Sequence, residues 1–121
     1  SAGSPALSVV APMHDEEGGA GALVAEIAAA LAAIPHEIIA VDDASRDGTR
    51  AALQAAQEIT PSLRVIVHGA NAGQSRAVRT GVLAARAPVV VTIDGDGQND
   101  PADILTLYKA LTRPDAPPLL A

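Results

Sequence analysis

The sequence predicts an α/β fold: a doubly wound, mostly parallel sheet with helices on both faces. Four short runs rich in Val, Ile and Leu are nearly continuous in apolar residues, as strands buried on both faces are. Helical patterns of ten or more residues separate these runs, which is the length that crossovers between parallel strands require. With one tyrosine and no Phe or Trp, the core must be Val, Ile, Leu and Ala, which suits close helix-on-sheet packing and not an aromatic-filled barrel.

Residues 1–6 are expected to be a tag remnant or a disordered leader, the folded domain to span 7–112, and 113–121, with three prolines, to be a loop or truncated end. Leu7–Ala11 is the first strand, stopped by Pro12. An alanine-rich helix follows over Gly19–Ile34. Glu37–Val41 is a second β-branched run, ending in Asp42 and Asp43. Asp47-Gly48-Thr49 opens a helix, with Asp47 as its cap, that reaches Ile59 and is closed by Pro61. Leu63–Val67 makes the third strand, the Asn71-Ala72-Gly73 turn leads into a helix over Ser75–Ala85, and Pro88–Ile93 makes the fourth strand. After the loop Asp94–Asn99, Asp100 caps a last helix to Leu111, with Pro101 in the first turn where no N–H is needed.

A formal net charge of −6 argues against a nucleic-acid partner, which would call for clustered Lys and Arg. Without cysteine there is no disulfide and no thiolate metal site. The most apolar stretch, Ala20–Ile34, is interrupted by Glu26 and falls short of the ~20 residues a spanning helix needs.

Ligands of open α/β sheets bind outside the carboxyl ends of the strands, and three of the four strand ends here are acidic. They are His14-Asp15-Glu16-Glu17, Asp42-Asp43 and Asp94-Gly95-Asp96-Gly97-Gln98. Converging carboxylates repel unless a hard cation neutralises them, and Mg²⁺ or Mn²⁺ takes carboxylate, amide and phosphate oxygens. In an extended segment Asp94, Asp96 and Gln98 project to one side, with glycines keeping the backbone thin between them. The competing reading makes such acids turn formers or caps, and Asp100 and Asp103 are assigned to capping on that ground. His14, His36 and His68 are too scattered for a metal pattern, though His14, in the first acidic loop, is a pocket-lining candidate.

Four segments together resemble the family 2 glycosyltransferases of GT-A, Rossmann-like fold, in particular the polyprenol-phosphate branch that includes dolichol-phosphate mannosyltransferase. They are Val9–Glu17, Val41–Thr49, Asn71–Ser75 with Ala77 and Gly81, and Val91–Pro101. The resemblance implies that Pro12, Glu16 and Asp43 line a nucleotide pocket, with Asp43 facing the base. It implies that Asp94, Asp96 and Gln98 gather around Mg²⁺ or Mn²⁺ bridging the diphosphate of a GDP- or UDP-linked sugar, with Asp94 and Asp96 catalytic. Gln74 and Ser75 begin a helix whose amides favour a phosphate. The acceptor it implies is a polyprenyl phosphate, met by a second half of the protein at the cytoplasmic face of a membrane. Two departures stand out: His14-Asp15 where the family usually has Tyr-Asn, and Ala44 where many members have Gly.

Rival readings are weaker. Asp94-Gly95-Asp96-Gly97 imitates a dehalogenase-type phosphatase, but that motif normally opens its fold, and here only a short tail follows it. Val41-Asp42-Asp43 resembles a phosphorelay receiver without its late lysine, and a non-catalytic nucleotide-binding domain is the third alternative.

Overall fold

A computed structural model describes residues 4–94 and 100–113. Eight elements alternate along the chain: β1 Leu7–Met13, α1 Ala20–Ala30, β2 His36–Asp42, α2 Thr49–Ile59, β3 Leu63–Val67, α3 Gln74–Ala84, β4 Val89–Thr92 and α4 Pro101–Leu111. The strands form one parallel sheet in the order β3-β2-β1-β4.

Strand alternation sorts the core into two layers. On one face Leu7, Val9, Ala11 and Met13 of β1 and Ile38 and Ala40 of β2 meet Leu23, Val24 and Ile27 of α1, Leu53 of α2 and Ile104 of α4. On the other, Ile39 and Val41 pack on Ala77 of α3. Over β1 the α3 helix comes very close, because a β-carbon on Gly81 would stand 2.3 Å from Val10 Cγ1. From β1 the chain steps twice to one side through α1 and α2, then returns past β1 to β4 through α3. Crossovers of a single hand demand that this reversal put α3 on the opposite face. The reversal lies between β1 and β4, so the ligand crevice is expected at their carboxyl ends.

Two element boundaries differ from the sequence reading by two residues or more. Pro12 does not stop β1 but lies within it, opposite Val41. Met13 O accepts from Asp43 N on the β2 side and Val10 O accepts from Ile93 N on the β4 side, so alternation turns the nitrogen of Pro12 toward β4, whose pairing has already ended. The missing N–H therefore costs no ladder bond. The first helix ends at Ala30, short of Ile34, with Leu31 as its C-cap. Ile34 precedes Pro35, and a residue before proline is kept out of helical geometry, so the turn Leu31–Ile34 absorbs the change of direction. At α4, Asp100 Oδ1 accepts from Ala102 N at 2.9 Å, the cap its sequence indicates.

At the amino end of the sheet lies a buried polar cluster that no sequence motif announced. Glu37 of β2 accepts from Ser8 Oγ at 2.6 Å, Arg64 Nη1 at 2.7 Å and Arg86 N at 2.7 Å. Burial works against its ionisation, but these three donors outweigh it and hold the carboxyl below its usual range. Arg64 also donates to Ala84 O at 3.0 Å, so the cluster ties the end of α3 to three strands.

Candidate functional site

A cavity of about 140 Å³ opens at the carboxyl edge of the sheet, lined by Pro12, Met13, His14, Glu16, Asp43, Gln74 and Ala77. Five of the sequence-nominated residues thus share one cavity: Pro12 near the end of β1, His14 and Glu16 in the following loop, Asp43 after β2 and Gln74 at the start of α3. Gln74 Nε2 donates to Asp94 Oδ1 at 3.1 Å, which links the end of the β4 segment to the cavity wall. Asp96 and Gln98 lie outside the described residues.

Asp43 organises this edge. Its side chain is nearly buried, and it accepts from His68 Nδ1, Ala72 N and Gly73 N, each at 2.8 Å. Burial opposes its charge, but these donors prevail and hold the carboxyl below its usual range, so it acts as an acceptor only. His68 Nδ1 must then carry the hydrogen, while its Nε2 meets Thr80 Oγ1 of α3 at 2.8 Å. His68 thereby fastens Asp43 to the middle of α3, a role that its isolated position in the sequence did not signal. The turn Asp43 holds runs into Gly73, whose φ of 93° is a left-handed value natural to glycine. Among the described residues no side chain caps the N-terminus of α3 behind it, leaving that helix end suited to an anionic group.

Backbone amides and hydroxyls take up Asp42 and Asp15, two of the acids at the first two strand ends. Asp42 Oδ1 accepts from Ser45 N at 3.0 Å, and Asp15 Oδ1 from Arg46 N at 2.8 Å. Asp47 receives Thr49 N at 2.9 Å and Glu17 N at 3.2 Å, so it caps α2 from one residue before the N-cap Gly48 and also clasps the first loop. Glu16 N in turn donates to Thr49 Oγ1 at 2.7 Å. His14 lines the cavity, and its Nδ1 lies 2.8 Å from Asp43 O. Both sequence departures fall on strained backbone: Asp15 and Ala44 have φ of 52° and 56°. Aspartate tolerates this region much as asparagine does, whereas Ala44 bears the steric cost that glycine avoids.

Among the described residues no group of three His, Asp or Glu side chains is arranged to hold a metal ion. One or two carboxylates with phosphate oxygens and water are a sufficient donor set for Mg²⁺ or Mn²⁺, and Asp94 is of the right type.

Residues 8–117 match Glycosyl transferase family 2. The chain belongs to that family. Within it, the chain is 40% identical over 110 residues to the dodecaprenyl-phosphate galacturonate synthase of Rhizobium johnstonii, covering 88% of this chain and 32% of that protein. Against the undecaprenyl-phosphate 4-deoxy-4-formamido-L-arabinose transferase of Aeromonas hydrophila it is 34% identical over 107 residues, or 86% of this chain and 33% of the other. This chain spans about a third of the length of these relatives. Among solved structures it is similar to the mannosyltransferase PcManGT of Pyrobaculum calidifontis, in complex with GDP-Man and Mn²⁺, with a TM-score of 0.77, 26% identity, and coverage of 93% of this chain and 34% of that one. The sheet is the Rossmann-like α/β layer of the GT-A glycosyltransferases, and family membership sets the phosphatase and receiver readings aside. Among the described residues no helix is long and apolar enough to cross a membrane.

Proposed function

We propose that this chain is the donor-binding part of a glycosyltransferase that moves a sugar from a GDP- or UDP-linked nucleotide to a polyprenyl phosphate, at the cytoplasmic face of a membrane. The observation that carries the reading is the cavity at the β1/β4 reversal, where Pro12, Glu16, Asp43 and Gln74 converge and Gln74 reaches Asp94. The acceptor class is supported by the polyprenyl-phosphate substrates in the names of the relatives.

In this reading Asp43, held ionised, accepts from an N–H of the base or a hydroxyl of the ribose, while Pro12 and Ala77 give the cavity an apolar wall. The uncapped amides at the start of α3 receive a phosphate of the donor. Gln74 keeps Asp94 oriented by the bond at 3.1 Å. Asp94, Asp96 and Gln98 would hold Mg²⁺ or Mn²⁺, and the Mn²⁺ of the mannosyltransferase complex supports that assignment. Such an ion, when bound, neutralises charge on the departing diphosphate. A polyprenyl phosphate is already anionic near neutral pH, its second pKa being about 6, so the acceptor needs no strong base from this chain. What the residues here contribute is positioning and a prearranged electrostatic setting.

Calorimetric titration of GDP, UDP and their sugar conjugates into the chain, with and without Mn²⁺, tests this. Metal-dependent binding that disappears in Asp96→Ala is the expected result, and the preferred nucleotide names the base. Unchanged binding in that variant would remove the metal assignment.

A further inference from the structure

The charge of the chain is divided in a way the cavity does not use. From Ile59 to Ile93 there is no Asp or Glu, and this stretch carries Arg64, Arg76, Arg79 and Arg86 in a chain of net charge −6. Arg64 is taken up by buried Glu37. Arg76 and Arg79 are exposed on α3, three residues apart and so on one face, and neither forms an ion pair among the described residues. With His68, Thr80 and Leu83 they line an open groove of about 680 Å³. Leu83, four residues beyond Arg79 on the same stripe, is 74% exposed, and its neighbour Val82 is 42% exposed. The outer face of α3 thus combines unpaired cations with uncovered aliphatic side chains.

We propose that this face docks on an anionic lipid bilayer, Arg76 and Arg79 meeting lipid phosphates and Leu83 entering the boundary of the acyl layer. Cations near an anionic leaflet are attracted within a Debye length, and a helix with basic and aliphatic residues on one face lies flat on such a surface. Helices α1, α2 and α4 pack on the opposite face of the sheet, so docking through α3 leaves them away from the bilayer. Two exposed arginines on an acidic chain are too few for a nucleic-acid footprint, whereas aliphatic groups beside them suit a bilayer. Ser75 and Arg76 of the groove adjoin Gln74 and Ala77 of the cavity, so this orientation sets the bilayer beside the cavity. That last consequence rests on the proposed transfer to a polyprenyl phosphate; the docking rests on charge and exposure alone.

The test is sedimentation of the chain with vesicles of phosphatidylcholine, or of phosphatidylcholine and phosphatidylglycerol in equal parts, without nucleotide or metal. Binding to the mixed vesicles only, weakened by added salt, is expected. The double variant Arg76→Glu with Arg79→Glu should lower partitioning at least about tenfold, and Leu83→Ser should lower it severalfold, with unchanged thermal unfolding in both. Arg50→Glu, on exposed α2, should have little effect. No preference of the unmodified chain for anionic vesicles, or an equal loss from Arg50→Glu, would overturn the proposal. So would a double variant that keeps vesicle binding but loses GDP or UDP in calorimetry, which would assign the arginines to the donor. Loss of vesicle binding with nucleotide binding retained separates this inference from the donor-site reading.

Discussion

The two ends of β2 carry buried carboxylates in similar electrostatic settings and of different use. Glu37 and Asp43 each accept three hydrogen bonds, and each is held ionised against the cost of burial. The donors to Glu37 come from β1, β3 and the segment after α3, and they draw these elements together at the sheet's amino end. Those to Asp43 come from the loop and turn between β3 and α3, and Asp43 lines the cavity at the sheet's carboxyl edge. Burial and a lowered pKa thus do not distinguish a structural carboxylate from a functional one. What separates them is the end of the sheet they occupy: Asp43 lies at the carboxyl edge, where open α/β sheets bind ligands.

Substitutions at the two positions should diverge accordingly. The largest effect is expected from Glu37→Ala, which removes the carboxylate from Ser8, Arg64 and the amide of Arg86 and leaves Arg64 only Ala84 O. Urea unfolding should show a loss of about 3 kcal/mol, the low end for a broken buried pair because Arg64 still reaches water, with nucleotide affinity unchanged. A matching loss of nucleotide affinity would break the distinction. Next, Asp43→Asn should weaken nucleotide binding by about 1.5–3 kcal/mol, the worth of hydrogen bonds to a charged group, with a smaller loss of stability. Were calorimetry to find binding intact, Asp43 would join Glu37 as purely structural. Acid should act on both ends together. Each folded pKa is depressed, so the stabilisation is fully present above the unfolded carboxyl values near 4 and is lost as pH falls through the lower folded values. Thermal unfolding followed from pH 6 to acid should steepen below about 4, and Glu37→Gln and Asp43→Asn should each remove part of that slope. The smallest effect expected is a gain: Ala44→Gly relieves a left-handed residue beside Asp43 and should add about 0.5–1 kcal/mol, net of the entropy glycine loses on folding.

Much of this fold could be read from the sequence because parallel strands covered on both faces are written as unbroken Val and Ile runs, and Gly and Pro punctuate the rest. The first helix was overextended for the same reason, since Leu31–Ile34 continues its apolar pattern and only Pro35 sets the limit. Glu16 and Asp43 were accessible through position, because they follow strands and strand ends are where such sheets bind ligands, whereas Pro12 and Gln74 came through the family resemblance. Glu37 and His68 were accessible through neither, because their partners are fixed by register and layer. Ser8 stands opposite Glu37 only once β1 and β2 are aligned, and Thr80 reaches His68 only once α3 crosses to the second face. Spacing also does not reveal which strand-end carboxylates backbone amides will absorb, as they absorb those of Asp15 and Asp42.

The contact between Gly81 and Val10 has a bearing on the cavity although neither residue lines it. Gln74 and Ala77 do, and they ride on the same rigid helix as Gly81. The missing methyl works as a shim of zero thickness: inserting one by Gly81→Ala would jack α3 away from β1 and widen the gap between Gln74 and the strand ends. The width of the cavity is therefore set one turn further along the same buried face of the helix, by the smallest residue on it.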